Sequence, residues 1–312
     1  MGADDLQMNR IQSTVDRVPS LPVTAVAAAI ITWGFVSPLV KYASLSGPAL
    51  AFWRLWLGAI LLLLVICIGR TPLHREIWKW ALPAGAVFGT NMLLFVVSVK
   101  MTTVANATLI GALQPAIVLL VAGPWFGEVV TRRQIACVAL AIAGVAVVIV
   151  GSAGAPEWNP AGDVLAMLSV LAFTAYFLIS KQARATVGTL EYMTVVHLAA
   201  ALVVTPFALV HPGALVSFDP VDVLIVLFFA LVSGTAGQFV ISWAHRYVDV
   251  SLSSMMMLGV PVVAAITAWL LLGESLGAVQ IAGGLITLAA IGAMLRRPSP
   301  SIEALEAAPA GV

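Results

Sequence analysis

Charge is what this sequence has least of. Only 9% of its 312 residues are Asp, Glu, Lys or Arg, against roughly a quarter in a soluble domain, so there is too little polar surface to clothe a water-soluble body of this size. With 61% hydrophobic residues, the chain is expected to live in lipid. A formal net charge of +1 provides no basic field and argues against a nucleic-acid partner. Cysteine is scarce as well: Cys67 and Cys137 both fall inside apolar runs, where thiols pack more often than they pair or bind metal. No metal, cofactor or redox chemistry is therefore expected. The phosphate-cradling GxxxxGK[ST] is missing, and the apolar runs hold neither HExxH nor GxSxG. These absences exclude ATP hydrolysis by this chain and weaken the case for a membrane-embedded enzyme, so no catalytic residue is named. Rings of filter carbonyls or charges, the mark of a channel, are not evident either.

What is present is length of apolar chain. A helix needs about 20 mostly apolar residues to cross the hydrocarbon layer, and ten such runs can be placed at 22–40, 48–69, 78–99, 104–123, 133–151, 162–180, 191–210, 221–243, 250–272 and 276–295. The expected fold is an all-α membrane protein of ten transmembrane helices. The first run is followed by Lys41 without a small-residue cleavage site and reads as a retained helix rather than a signal peptide. Residues 1–21 and 298–312 read as cytoplasmic tails, whose extreme ends, "MGADDLQMNR" and "SPSIEALEAAPAGV", look disordered.

Basic residues orient the spans. With the N-terminus inside, the cytoplasmic segments hold Arg10, Arg17, Arg70, Arg75, Lys79, Arg132, Arg133, Lys181, Arg184, Arg246, Arg296 and Arg297, whereas the outer loops hold only Lys41 and Lys100. This split is a strong positive-inside signal. It predicts an inner (plasma) membrane protein with both termini cytoplasmic.

The chain also repeats itself. "FGEVVTRRQIA" at 126–136 and "LGESLGAVQIA" at 272–282 share a Gly-Glu pair and a Gln-Ile-Ala triplet 146 residues apart. At the same offset Lys100 faces Arg246, Val104 faces Val250, and Pro115 faces Pro261, while "VKYA" at 40–43 faces "SKQA" at 180–183 at an offset of 140. Two five-helix halves follow, residues 22–152 and 160–297. Five is odd, so the second half enters the membrane inverted, the arrangement in which secondary transporters enclose a midplane site. Gly127 and Gly273 suit helix C-termini, and Glu128 and Glu274 then serve as structural caps on the amides that follow. Pro115 and Pro261 break helices mid-span, which lipid tolerates where a cavity or neighbour satisfies the freed carbonyl, so both are assigned as helix breaks with a gating role.

"WG" at 33–34, "FWRLWLGA" at 52–59, Pro115 followed by "FGE" at 126–128, and Pro261 followed by "LLGE" at 271–274 resemble the paired EamA domains of the ten-helix drug/metabolite transporter superfamily. The resemblance runs from about residue 22 to 297. It implies a carrier whose cavity is lined by helices 1, 3, 4, 6, 8 and 9, with helices 5 and 10 peripheral, and which exports amino acids, related metabolites or amphipathic compounds. The acid of the first helix in the small four-helix relatives has no counterpart in "AAAIITWGFVSPLV".

Intramembrane polar groups are functional candidates because they are expensive to bury. Asn91, Gln114, Tyr176 and Gln238 fall on helices that the resemblance places around the cavity, with Trp33, Trp243 and the methionines 255–257 as apolar or aromatic walls. The expected substrate-binding set is Trp33, Asn91, Gln114, Tyr176, Gln238, Trp243 and Met257. Arg54, about 10 Å into helix 2, is expected to snorkel to the outer interface rather than bind substrate, and His197 to bond a neighbouring helix rather than relay protons. With no deep carboxylate, alternating access driven by the substrate gradient is expected, and a proton-coupled antiporter is the alternative. The expected partners are a small-molecule substrate and membrane lipid, with the protein a monomer or a dimer.

Overall fold

The computed structural model describes residues 20–102, 107, 110–118, 121, 131–152, 160–210, 215, 216, 218–248, 250–272 and 277–295. All described secondary structure is helical. In chain order the helices are α1 (Ser20–Gly34), α2 (Val36–Tyr42), α3 (Gly47–Gly69), α4 (Arg75–Met101), α5 (Arg132–Ser152), α6 (Pro160–Ala183), α7 (Thr189–Leu209), α8 (Pro220–Leu227), α9 (Gly237–Ala244), α10 (Val250–Met256), α11 (Gly259–Leu272) and α12 (Ala278–Leu295). Six spans among the described residues are long and apolar enough to cross a membrane. Of the expected spans, 104–123 is described only in part, over 110–118, helical on either side of a turn at 112–113, with single residues at 107 and 121. Glu128, Glu274, residues 1–19 and the C-terminal tail lie outside the described residues, while Ser20 and Leu21 of the expected N-terminal tail already belong to α1.

Local chemistry accounts for where helices begin and break. Ser46 caps α3 by accepting the amide of Ala49 with Pro48 in the first turn, and Arg70 closes the same helix at φ 49°. Asp219 and Asp222 form a reciprocal capping box at the start of α8. Proline lacks the amide that would bond the carbonyl four residues back. Accordingly Pro38 follows the break at Phe35, and Pro115 and Pro261 follow turns at 112–113 and 257–258. Between α8 and α9, Phe228–Ala236 forms wider π-helical turns that keep the span continuous but rotate its faces.

Apolar side chains face outward as well as inward: Leu64, Ile68, Leu171, Leu224 and Leu285 are all exposed on the lateral surface, as a lipid-facing bundle requires. Lipid offers no hydrophobic drive between helices, so close approach of small residues does the packing. On α4, a Cβ added to Gly85 would lie 2.6 Å from the Ala199 methyl, and one on Gly89 would lie 2.7 Å from the Ala200 carbonyl; α7 therefore rides directly on the α4 backbone. Gly144 of α5 does the same against Thr287 of α12, where the Thr287 hydroxyl reaches the Ala141 carbonyl at 3.5 Å. Cys67 is exposed rather than packed, and both thiols are free.

Polar contacts at the helix ends fix the relative directions. Ser44, just past α2, donates its amide to Asp222 at 2.9 Å, and Thr102, just past α4, donates to Asp163 at 2.8 Å. The C-terminal ends of α2 and α4 thus meet the N-terminal ends of α6 and α8. At that face Lys41 holds the carbonyls of Val99 and Thr102 at 3.2 and 3.0 Å. Lys181, near the C-terminal end of the 24-residue α6 and so about 27 Å along the axis from Asp163, holds the carbonyls of His245 and Val248, both at 2.8 Å.

Candidate functional site

One cavity of about 200 Å³ occupies the interior, drawing residues from both halves of the chain. Trp33, Gln238, Met257 and Pro261 form part of its wall. Along the wall α4 runs toward the Lys41 end through Asn91, Phe95 and Ser98, and α6 does so through Phe173, Ser169 and Ala166. Residues 107, 111, 112, 114 and 115 complete the wall. Toward the Lys181 end the described side chains pack closely. Phe177, Arg184, Tyr192 and His245 are buried there without lining the cavity, and Phe177 stands edge-on to His245 with ring centroids 4.2 Å apart.

Two polar contacts make the walls rigid. Asn91 donates to both the carbonyl and the hydroxyl of Ser169, at 3.0 and 2.9 Å, tying α4 to α6. The Trp33 indole donates to the Ser233 carbonyl at 2.7 Å. That second bond depends on the wide turns of 228–236, which present a carbonyl sideways, and on Gly237, whose missing side chain leaves room for the indole.

Other donors in the cavity are unmatched. Gln114 Nε2, Gln238 Nε2 and Arg54 Nε are buried and make no hydrogen bond among the described residues. Arg54 is 4% exposed and lines the cavity, which corrects the expectation that it snorkels to the interface. Its stem crosses the bare backbone of Gly234, where a Cβ would sit 2.9 Å from Nε. The guanidinium then lies over the rings of Phe229 and Phe88, 4.7 and 5.5 Å from their centroids, with an N–H against the Met92 sulfur. Helix 2 of the resemblance was expected outside the central ring; the wide turns and Gly234 are what let it in. A hint was available in sequence, since Arg54 and Gly58 share one face of α3 four residues apart and small residues mark close approach.

Of the expected binding set, Trp33, Asn91, Gln114, Gln238 and Met257 line the cavity, as do Pro115 and Pro261. Tyr176 does not. It stands behind the wall, 4.6 Å from the Phe88 ring centroid and 6.2 Å from that of Phe173. Trp243 lies at the Lys181 end against Tyr247, 5.2 Å between centroids, and Met255 and Met256 pack in the core. His197 bonds the Met193 carbonyl of its own helix at 3.0 Å, not a neighbouring helix, and does not line the cavity. The aromatic wall residues Phe88, Phe95, Phe173 and Phe229 were not singled out in the sequence, because nothing in a uniformly apolar helix says which Phe faces inward.

Comparison with known proteins gives three findings. A curated "Probable amino-acid metabolite efflux pump" of Salmonella typhimurium strain LT2 is 28% identical over 178 residues, which is 53% of this chain and 58% of that protein. The chain thus aligns with somewhat more than half the length of that relative. A solved crystal structure overlays 92% of this chain and 98% of its own with a TM-score of 0.74 at 17% identity, a likeness of fold alone. The sequence profile of the EamA-like transporter family matches residues 20–150 and 160–296, one copy in each half. The chain belongs to the EamA-like transporter family, within the drug/metabolite transporter superfamily.

Proposed function

We propose that the protein is a secondary carrier that exports small organic metabolites, amino acids or related amphipathic compounds, by alternating access between two inverted five-helix halves. The observation that carries this reading is the cavity itself. Both family-matched halves line it, its walls mix aromatic faces with a few amides, and its α4 and α6 walls run toward the Lys41 end while buried Phe177, Arg184, Tyr192 and His245 occupy the other. Its volume is below the roughly 300–1,000 Å³ of drug-sized pockets, which favours a small metabolite over a bulky drug. The name of the Salmonella relative points the same way.

The inverted arrangement is supported by Lys41 and Lys181, equivalent in sequence and capping equivalent helices at opposite ends. The contact of Thr287 with Ala141, its equivalent 146 residues earlier, supports it too. In this reading residues 22–152 and 160–297 are the two moving halves, and Pro115 and Pro261 are the breaks about which their helices flex. The protein sits in the inner membrane with cytoplasmic termini, and one chain suffices for a complete cavity.

Resistance to a panel of toxic amino-acid analogues, with and without overexpression, tests the export reading. Radiolabelled flux in proteoliposomes should saturate and be stimulated by substrate on the opposite side; linear, unstimulated flux would indicate a channel instead.

A further inference from the structure

Granting a solute site in the cavity, as proposed above, we infer that it takes a small carboxylate anion and that Arg54 is the group that holds it. The polar atoms left open in the cavity are asymmetric in kind. Arg54 Nε, Gln114 Nε2 and Gln238 Nε2 are all N–H donors without an acceptor among the described residues. A Gln amide can turn to present its oxygen, but a guanidinium has donors only, so Arg54 sets the sign of what fits.

Nothing described in the protein neutralises Arg54. Among the described residues it forms no ion pair, and the described lining includes no Asp or Glu. Phe229 and Phe88 meet the cation with their ring faces, and Met92 offers only a sulfur. Ring faces attract a cation and thioether sulfur accepts weakly, but neither supplies the oxygen acceptors that a fork of N–H groups matches. A buried charge left unmatched is costly. A carboxylate from the solute completes the set with bidentate, charge-assisted hydrogen bonds, and the two glutamines add donors from other walls. Phe95, Phe173 and Met257 leave apolar room for the rest of the solute. Since no acid stands among the described lining residues, the site as described asks for no amino group and disfavours cationic amphiphiles.

Four compounds with one benzyl tail separate these features: 3-phenylpropionate, L-phenylalanine, L-phenylalaninamide and 2-phenylethylamine. In thermal-shift titrations of the detergent-solubilised full chain, both acids should stabilise the protein. The amide and the amine should need at least about tenfold higher concentration for the same shift, as the loss of a charged hydrogen-bond pair implies. Arg54→Gln should abolish the preference, and Arg54→Lys, a point charge without the fork, should restore part of it. Amide or amine binding within twofold of the acids would overturn the proposal, as would a preserved acid preference in Arg54→Gln or the absence of any shift with the four compounds. Should Arg54→Gln fail to fold, the wild-type comparison of acid with amide decides alone. Saturable flux that is blind to the carboxylate overturns this assignment and leaves the carrier reading standing. Carboxylate binding without saturable flux does the reverse.

Discussion

Lys41 and Lys181 do the same thing at opposite ends of the molecule: each reaches from one helix to hold the last carbonyls of another, Val99 and Thr102 in one case, His245 and Val248 in the other. An ammonium at a helix C-terminus satisfies orphan carbonyls and opposes the dipole, each contact contributing about 0.3–1 kcal/mol. Lys41→Met and Lys181→Met should each lower stability by about 1 kcal/mol, and because the sites share no partner the double variant should sum the two to within about 0.5 kcal/mol. Thermal unfolding of the solubilised protein reads this, and strong non-additivity would contradict their separation.

Helix packing makes a second prediction sharp because it differs between glycines. At Gly89 a Cβ would meet the Ala200 backbone at 2.7 Å, whereas at Gly292 it meets nothing within 4 Å. Gly89→Ala should destabilise by about 1–3 kcal/mol as α4 and α7 are forced apart. Gly292→Ala should be neutral or stabilising by up to about 1 kcal/mol, since it only restricts the unfolded chain.

The cavity amides should part company when replaced. Gln238 Nε2 bonds nothing among the described residues, though the side chain stands beside Tyr176, so Gln238→Ala should cut transport about tenfold at a smaller cost in stability than Asn91→Ala, the signature of a group used chiefly by the solute. Asn91 ties α4 to α6 through Ser169, so Asn91→Ala should lower both transport and stability. Wild-type flux in both variants would count against the site.

Orientation can be read with an impermeant thiol reagent on intact cells, after Cys67 and Cys137 are replaced. Cysteines at His74 and Ala185 should be shielded and one at Val216, which is 77% exposed, should label. Labelling of the first two would reverse the membrane orientation.

For energy coupling, His197 bonds a carbonyl of its own turn and lies off the cavity wall, leaving it poorly placed to meet both sides in turn. Substrate in proteoliposomes should equilibrate without accumulating when a pH gradient is imposed. Uphill accumulation that collapses with a protonophore would establish proton coupling, and its loss in His197→Ala or Glu274→Gln would name the carrier group.

The order of apolar runs, the repeat with its paired prolines, and most of the cavity amides were determined by the sequence itself. A membrane span must be long and apolar whatever its neighbours do, and a polar residue inside it must face something polar. Which residues meet was decided by tertiary structure. Arg54 reads as an interfacial snorkeler until the wide turns of 228–236 and the bare backbone at Gly234 open a path inward. Tyr176 reads as a wall residue until Phe88 and Phe173 are found in front of it. Lipid makes every helix face acceptably apolar, so hydrophobic periodicity is faint; only the rotation of each helix, set by side chains and backbones that touch, tells wall from core.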